Sequence, residues 1–258
     1  MRFQDQVAIV TGSGRGIGRA ALLGFAREGA KVVINDVDEP AARAVLREVE
    51  TGGGQGIVCP GSVTDRTAVK RMVDETVAAF GTIDILVNNA AVLITAMIPK
   101  MTEEQWDRCI EIDLKGVFNC LQAVAPVFTQ RAEHNPQAKC NGKVVNVTSV
   151  AGLRGTIGSI NYAAAKAGVI GMTMSAAKEW GRYRVNVNAV AFGIVETRMT
   201  EGIRGTPKIR ELYEQQTLVG YFATPDDVAP TILFLASADA NYVTGHVLNV
   251  TGGLHIGF

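Results

Sequence analysis

Apolar residues are arranged along the chain in two alternating patterns. Short apolar runs, such as residues 7–10, are bounded by turn residues and predict strands that are buried on both faces. Longer segments repeat apolar residues every three or four positions, as between residues 16 and 28, and predict amphipathic helices. The predicted strands cover residues 7–10, 31–36, 56–59, 84–88, 143–148, 185–190 and 246–250. The predicted helices cover residues 16–28, 40–50, 65–80, 102–130, 160–181 and 225–236.

The alternation of strands and helices predicts the fold. Apolar strands that are each followed by a helix favour a parallel sheet, and right-handed crossovers place the helices on both of its faces. We therefore expect an α/β fold, a Rossmann-type doubly wound domain with a seven-stranded parallel sheet. No linker and no repeat interrupts the pattern, which favours a single domain over residues 1–258.

Two segments lie outside this alternation. Residues 129–142 are polar and rich in turn-forming residues, so we expect a solvated loop there. Residues 196–222 connect a predicted strand to a predicted helix without a strand of their own. Because a connection of this length is uncommon in a compact domain, we expect it to act as a lid over a binding site.

The composition narrows the class of protein. Hydrophobic residues make up 47% of the chain and charged residues 19%, which argues against disorder. Lys and Arg together number 25, as do Asp and Glu, so the basic excess typical of nucleic-acid binders is missing. The sequence has no apolar run of about 18 residues and no apolar leader, so we expect no membrane segment and no signal peptide. The four cysteines are spaced neither for zinc nor for a disulfide scaffold, and we expect no metal site and a cytoplasmic location.

A glycine-rich turn follows the first predicted strand and opens the first predicted helix. It contains Gly12, Gly16 and Gly18 within the sequence TGSGRGIG. Glycine permits the tight turn and lets the backbone approach a pyrophosphate, which the free N–H groups of the helix would bind. Ile17 stands where the strict G-x-G-x-x-G pattern has its last glycine, so a purely structural turn is the alternative.

Two charged residues near this turn favour different dinucleotides. Asp36 ends the second predicted strand, where a carboxylate can accept hydrogen bonds from both ribose hydroxyls of NAD and would repel the 2′-phosphate of NADP. Arg15 lies in the turn and offers a cation to such a phosphate. We give Asp36 the greater weight and expect NAD, with NADP as the alternative.

A candidate acid–base group lies later in the chain. Tyr162 and Lys166 are four residues apart at the start of a predicted helix, so both side chains lie on one face. Ser149 closes the fifth predicted strand, at the carboxyl edge where ligands bind in open α/β folds. An ammonium beside a phenol stabilises the phenolate, so we expect Lys166 to lower the pKa of Tyr162. The three residues predict general acid–base catalysis next to a hydroxyl donor.

With these motifs the chain resembles the short-chain dehydrogenase/reductase family, and within it the 3-oxoacyl-acyl-carrier-protein reductases. The resemblance runs nearly from end to end. Its motifs are TGxxxGxG at 11–18, NNAA at 88–91, Ser149, YxxxK at 162–166, NAVAxGxxxT at 188–197, TG at 244–245 and GG at 252–253.

The resemblance implies an NAD(P)-dependent dehydrogenase or reductase that acts on CH–OH groups by hydride transfer. In the reducing direction Tyr162 gives a proton to the carbonyl oxygen and Ser149 hydrogen-bonds that oxygen. Lys166 tunes Tyr162 and holds the nicotinamide ribose. The cofactor-binding residues that the resemblance implies are Gly12, Ser13, Arg15, Gly16, Ile17, Gly18, Asp36, Ser62, Val63, Asn89, Ala90, Ala91, Tyr162, Lys166, Val195 and Thr197.

Among the positions that depart from the family pattern, three lie in motifs of the proposed site. Asp113 stands where the family has an asparagine that links a water relay to the lysine, so we assign it to the catalytic set and expect an altered pH profile. Phe192 replaces a proline before Gly193. Ser62 replaces an aspartate that contacts adenine, and remains a usable hydrogen-bonding partner.

The substrate and the assembly are implied only in outline. We expect a small-molecule carbonyl or alcohol substrate, either a 3-oxoacyl thioester or another ketone, with a steroid, sugar or small polyol as the alternative. The helix over residues 160–181 has an outer face that is apolar for a surface helix, with Ala163, Ala167, Val169 and Ile170 on it. This face and the resemblance imply a homotetramer or homodimer, without a nucleic-acid or membrane partner.

Two other classes of function compete with the oxidoreductase. A nucleotide-binding scaffold without turnover is suggested by the departures Asp113 and Phe192, but the complete serine, tyrosine and lysine set argues against it. An epimerase or dehydratase would retain its cofactor, but such relatives carry a longer C-terminal substrate domain. The roughly 60 residues after Thr197 leave little room for one.

Overall fold

The computed structural model describes residues 1–257, apart from the side chain of Ile203. Its strands are β1 (Val7–Thr11), β2 (Lys31–Asn35), β3 (Gln55–Val58), β4 (Ile85–Asn88), β5 (Gly142–Ser149), β6 (Val185–Phe192) and β7 (Val247–Val250). Its α-helices are α1 (Gly16–Arg27), α2 (Glu39–Thr51), α3 (Arg66–Phe80), α4 (Glu103–Ile110), α5 (Gly116–His134), α6 (Val150–Arg154), α7 (Ile160–Trp180), α8 (Glu201–Arg204), α9 (Pro207–Gln216) and α10 (Pro225–Ala236).

All seven strands form one parallel sheet in the order β3-β2-β1-β4-β5-β6-β7. The chain runs from β1 outward to β3 and then returns to place β4 on the other side of β1. The connections after β1 and β4 therefore turn away in opposite directions and leave a crevice at the carboxyl edge, where open α/β sheets bind ligands. The predicted doubly wound α/β fold with a seven-stranded parallel sheet is confirmed.

Helices cover both faces of the sheet, which explains the uninterrupted apolar strands. On β1, Ala8 and Val10 pack in the layer that contains α1, α2 and α10. The alternate residues Val7 and Ile9 pack in the opposite layer, with α3, α5 and α7. Every residue of β1 is buried, as the strand pattern predicted.

The single long helix predicted over residues 102–130 is three elements in the structure. A capping box of Thr102 and Gln105 starts α4. A π-helical turn, Glu111–Lys115, then joins α4 to α5 and directs Asp113 into the protein interior. α5 starts at Gly116 and runs on to His134, so the polar loop predicted over residues 129–142 is shorter.

The segment over residues 196–222, which we define as the lid, contains helices that the sequence pattern did not indicate. A 3₁₀ turn (Arg198–Thr200), α8 and α9 follow one another. No residue of α9 is buried, and the helix therefore shows no core-facing apolar face.

The outer face of α7 differs at one position from the prediction. Val169 is fully buried and packs in the core beneath the helix. Ala163 and Ile170 are half-buried, whereas Ala167 and Met174 are exposed. The exposed apolar face of α7 is therefore narrower than the sequence suggested.

Within residues 1–257, no helix is long and apolar enough to cross a membrane. The same residues contain no group of three His, Cys, Asp or Glu side chains placed to hold a metal ion. All four cysteines are free thiols, and only Cys140 is not buried.

Candidate active site

The glycine turn faces the crevice at the carboxyl edge of the sheet. Gly12 and Gly16 have φ angles of 62° and 57°, a backbone region in which glycine is favoured. Arg15 precedes α1 without capping it, and the first turn of the helix has no acidic residue. The N–H groups at this helix end are therefore free to bind an anion such as a pyrophosphate.

Thr11 at the end of β1 and the two residues that follow β4 hold the turn in shape. The Asn89 side-chain amide donates to the carbonyl oxygens of Thr11 at 2.9 Å and Gly12 at 3.0 Å. The Thr11 hydroxyl accepts from the Asn89 and Ala90 backbone N–H groups. Gly18 packs so closely behind the turn that a Cβ there would lie 2.4 Å from the Gly12 carbonyl oxygen. The protein itself thus fixes the shape of the turn, and the free N–H groups of the helix end suit the pyrophosphate of a dinucleotide.

Two carboxylates lie at the end of β2. Asp36 accepts backbone hydrogen bonds from Gly14 at 2.9 Å and Asp38 at 3.0 Å, which fixes its position at the edge of the cleft. Arg15 forms an ion pair with Asp38. Arg15, which could bind the 2′-phosphate of NADP, is thus already paired with a carboxylate of the protein.

A cleft of about 1590 Å³ connects these carboxylates to the catalytic candidates. Most of the residues implied for cofactor binding line it: Gly12, Arg15, Gly16, Ile17, Asp36, Ser62, Val63, Asn89, Ala90, Ala91, Tyr162, Lys166, Val195 and Thr197. Ser13 and Gly18 lie behind the lining. The Ser13 hydroxyl is buried and donates to the Val10 carbonyl at 2.8 Å, so it stabilises the turn from inside.

The first residues of the lid lie over the glycine turn. Thr197 is close enough to Gly16 that a Cβ on Gly16 would contact its methyl group at 3.4 Å. Arg204 donates to the Thr197 carbonyl at 3.0 Å, which ties α8 to the start of the lid. Val195 is buried and forms an isolated parallel bridge with Ala223 at the other end of the segment. The lid is therefore anchored at both ends next to the cleft.

Ser149, Tyr162 and Lys166 all line the cleft, as the sequence predicted. Ser149 ends β5 and its hydroxyl accepts from the Ala151 N–H at 3.1 Å. Lys166 lies one helical turn after Tyr162, with its ammonium nitrogen 5.5 Å from the centre of the phenol ring. The ammonium also donates to the Val147 carbonyl at 3.2 Å, which directs it toward the end of β5.

Asp113 does not line the cleft but lies behind Lys166. Its Oδ2 atom is 3.4 Å from Lys166 Nζ, and both side chains are almost completely buried. Its Oδ1 atom accepts from the Val92 N–H at 2.8 Å. The π-helical turn makes this pairing, because it directs the Asp113 side chain inward at the level of α7.

The pKa of Tyr162 is raised overall, although Lys166 lowers it as the sequence predicted. Burial of the phenol is the largest cause, because it disfavours the phenolate. The Lys166 ammonium acts in the opposite direction, but the Asp113 carboxylate raises the pKa again. The pKa of Lys166 is also raised despite burial, because Asp113 and Tyr162 favour the ammonium.

Sequence reasoning missed two residues that position the catalytic helix. Asn161 is fully buried, accepts from the Tyr162 N–H at 2.8 Å and donates to the Gln105 carbonyl at 3.0 Å, which links α7 to α4. A Cβ on Gly152 would lie 2.7 Å from the Lys166 carbonyl carbon, so glycine there lets α6 approach α7. In the sequence, only its position next to Tyr162 could have indicated the role of Asn161. No local sequence pattern indicates the role of Gly152.

Comparisons with known proteins agree with this fold and site. A family model described as enoyl-(acyl carrier protein) reductase matches residues 12–255. The 3-oxoacyl-[acyl-carrier-protein] reductase FabG of Thermotoga maritima is 44% identical, with 99% of this chain and 100% of that protein aligned. The (2S)-[(R)-hydroxy(phenyl)methyl]succinyl-CoA dehydrogenase subunit BbsD of Thauera aromatica is 42% identical, with 98% of each chain aligned. The crystal structure of a gluconate 5-dehydrogenase from Burkholderia cenocepacia, in complex with NADP and tartrate, has a TM-score of 0.91 and 32% identity, and the match covers 98% of this chain and 97% of that one.

The fold and the site define an NAD(P)-dependent oxidoreductase that acts on carbonyl or alcohol groups. The chain belongs to the short-chain dehydrogenase/reductase family. The family interpretation of the sequence, the class of enzyme and the class of cofactor are thereby confirmed.

Proposed function

We propose that this enzyme reduces the ketone of a 3-oxoacyl thioester with NADH. The observation that carries the proposal is the convergence of Ser149, Tyr162 and Lys166 in one cleft with an uncapped glycine turn. A nicotinamide dinucleotide supplies the hydride when it is bound. The protein supplies the proton, the orientation and the charges described below.

Each catalytic residue has a separate task in this proposal. The Tyr162 hydroxyl donates its proton to the ketone oxygen, and the Ser149 hydroxyl donates a hydrogen bond to the same oxygen. Lys166 holds the ribose hydroxyls beside the nicotinamide. The nearly complete burial of Lys166 keeps water away from its ammonium and fixes its direction.

The dinucleotide would lie along the cleft in an extended form. The glycine turn and Ile17 would hold the pyrophosphate, Asp36 the adenosine ribose, and Ser62 and Val63 the adenine edge. Asn89, Ala90 and Ala91 would line the floor beneath the ribose, and Val195 and Thr197 would contact the carboxamide. Ser13, Gly18 and Asp113 would act from behind the cleft lining. NAD is favoured over NADP because Asp36 faces the ribose position and Asp38 neutralises Arg15.

The apolar residues of the lid favour a substrate with an acyl chain. Met199 lines the cleft, and the lid residues Met199, Leu212 and Tyr221 expose 39%, 52% and 55% of their surface. Such side chains offer an apolar surface to an acyl chain. Two relatives at 42–44% identity bear names that describe thioester substrates, an acyl-carrier-protein thioester and a coenzyme A thioester. Oxidation of a sugar acid is the second candidate, because the structural neighbour is a gluconate 5-dehydrogenase.

We further propose a cytoplasmic homodimer or homotetramer and a single domain over the whole chain. The exposed apolar residues Ala167 and Met174 on α7 and Phe118 on α5 support an assembly of identical chains. All seven strands lie in one sheet, which supports a single domain.

A substrate panel tests the function. Purified enzyme is mixed with NADH or NADPH and either a 3-oxoacyl thioester or a 5-ketogluconate-type sugar acid, and the loss of reduced-nicotinamide absorbance is followed. We expect the thioester with NADH to give the highest kcat/KM. Cofactor binding without turnover on any carbonyl or alcohol would instead support the scaffold hypothesis.

A further inference from the structure

The buried pair of Asp113 and Lys166 changes the charge at the catalytic centre. Their side chains expose 0% and 2% of their surface, and the charged atoms are 3.4 Å apart. Asp113 is held in place by the Val92 N–H, and its second oxygen has no hydrogen-bond partner among the described residues. That second oxygen lies 3.4 Å from Lys166 Nζ, with which it forms an ion pair.

The pair carries no net charge, whichever of its two members holds the shared proton. An uncharged side chain at position 113 would instead leave Lys166 as an unmatched positive charge beside Tyr162. In a buried site such a charge acts strongly on a neighbouring phenol, because little water screens it. The identity of residue 113 thus sets how far Lys166 can favour the tyrosinate.

We propose that Asp113 is a positioning residue that offsets the charge of Lys166, keeps Tyr162 a neutral proton donor well above neutral pH, and so fits the enzyme to carbonyl reduction. The inference rests on the proposed hydride-transfer function. Asp113 does not change the overall equilibrium of the reaction. It changes only how the forward and reverse rates depend on pH.

The groups around Tyr162 act on its pKa in both directions, and those that raise it prevail. Lys166 on the same helix and the Ser149 hydroxyl at the end of β5 lower the pKa of the phenol. Asp113 from the π-helical turn and Cys109 from α4 raise it, and burial raises it most. Cys109 is itself a neutral thiol, because burial and Asp113 raise its pKa to about 12. Burial also raises the pKa of Asp113, whereas Lys166 and the Val92 N–H lower it. Asp113 is therefore the one carboxyl group among the groups that face Tyr162 in the described chain.

The two reaction directions need opposite forms of Tyr162. Reduction needs the protonated phenol, so its rate stays high until the pH passes the pKa of Tyr162. Oxidation needs the tyrosinate to take the alcohol proton, so its rate rises as the pH approaches the same value. With Asp113 present, both changes occur at higher pH than they would beside an unpaired Lys166.

The first test measures the pH dependence of alcohol oxidation and of ketone reduction in Asp113→Asn and Asp113→Ala. Both variants remove the negative charge, but only asparagine keeps an oxygen that can accept from Val92. We expect the midpoints of both pH profiles, for oxidation and for reduction, to fall by about one pH unit in each variant. At a fixed pH below the midpoint, the oxidation rate, expressed as a fraction of each protein's maximum, should then be about tenfold higher in the variant than in the wild type. The exposed Asp107 on α4 provides the matched control, because Asp107→Asn makes the same charge change away from the cleft and should leave the midpoints unchanged.

A purely structural role for Asp113 would lower kcat in both variants without moving either midpoint, and that result overturns the inference. A second measurement needs no turnover. The tyrosinate absorbance of the ligand-free wild type, minus that of Tyr162→Phe, reports the ionisation of Tyr162 directly. We expect its midpoint above the ordinary value of about 10. Ionisation below that value would contradict the inference even if neither Asp113 variant folds. If the enzyme turns over no substrate but Tyr162 ionises above the ordinary value as expected, only the proposed function is contradicted.

Discussion

Asp36 is the residue on which the choice between the two dinucleotides depends. Its carboxylate is fixed by two backbone N–H groups, so it can accept ribose hydroxyls without first being ordered. The nearby Arg15 is paired with Asp38 and therefore offers little free positive charge to a 2′-phosphate. From the sequence alone, Asp36 favoured NAD and Arg15 favoured NADP. The structure adds that Arg15 forms an ion pair with a second carboxylate, that of Asp38.

We expect Asp36→Ala to weaken NAD binding about ten- to a hundredfold, because a hydrogen bond to a charged group contributes about 1.5–3 kcal/mol and each 1.4 kcal/mol is a factor of ten. The same change should improve relative binding of NADP, since the repulsion of its phosphate is removed. Fluorescence titration with NADH and NADPH measures both affinities. Glu39→Ala, which removes a partly exposed carboxylate at the start of α2, is the matched control and should leave the ratio unchanged. A wild-type preference for NADPH would contradict this account of Asp36.

At the scale of secondary structure elements, the contact between the glycine turn and α1 depends on the absence of side chains. A Cβ on Gly18 would lie 2.4 Å from the Gly12 carbonyl oxygen and 2.5 Å from the Asn89 amide nitrogen. Neither neighbour can move freely, because the Asn89 amide also holds the Thr11 carbonyl. A methyl group at position 18 must therefore displace the turn.

We expect Gly18→Ala to lower NADH affinity at least tenfold and to lower the melting temperature, because the turn and α1 can no longer pack as they do. Gly181→Ala is the matched control. Gly181 has helical backbone angles, and its added Cβ would have open space around it. That variant should bind NADH normally and be as stable as the wild type or slightly more so. Equal NADH affinity in both variants would show that the turn tolerates a side chain.

The elements that the sequence predicted are those with a strong periodic pattern. The buried strands and the helices that pack on them follow from runs and repeats of apolar residues, and the site residues Ser149, Tyr162 and Lys166 follow from their place at the carboxyl edge. The lid helix α9 was missed, although Ile209, Leu212 and Tyr213 have helical spacing, because the helix is short and buries no residue in the core. The π-helical turn at Glu111–Lys115 was missed because one extra residue in a helix leaves no mark in the composition.

At the scale of the whole molecule, the topology brings together residues that are far apart in the sequence. The crevice between the connections after β1 and β4 holds the glycine turn, and β5 and α7 bring the catalytic residues to the same edge. Apolar side chains are also exposed on two helices away from the sheet core. Phe118 on α5 and Met174 on α7 each expose 46% of their surface, and an apolar contact between copies of the chain would cover them.

We expect sedimentation at micromolar concentration to give a mass of two or four times 27.4 kDa. Phe118→Lys should shift the distribution toward smaller species, because it places a charge in the apolar face without disturbing the core. Val37→Lys, at an exposed position near the cleft, is the control for an added surface lysine. A wild-type chain that sediments only as a monomer would contradict the proposed assembly.

The central claim is that Tyr162 delivers the proton in hydride transfer within this cleft. The most direct measurement is single-turnover reduction of a 3-oxoacyl thioester by wild type and Tyr162→Phe, each saturated with NADH, with NADH affinity measured in parallel. The account predicts a rate at least about a hundredfold lower in the variant, as expected for loss of a general acid, with NADH affinity within about threefold of the wild type. Equal single-turnover rates in the two proteins would contradict it.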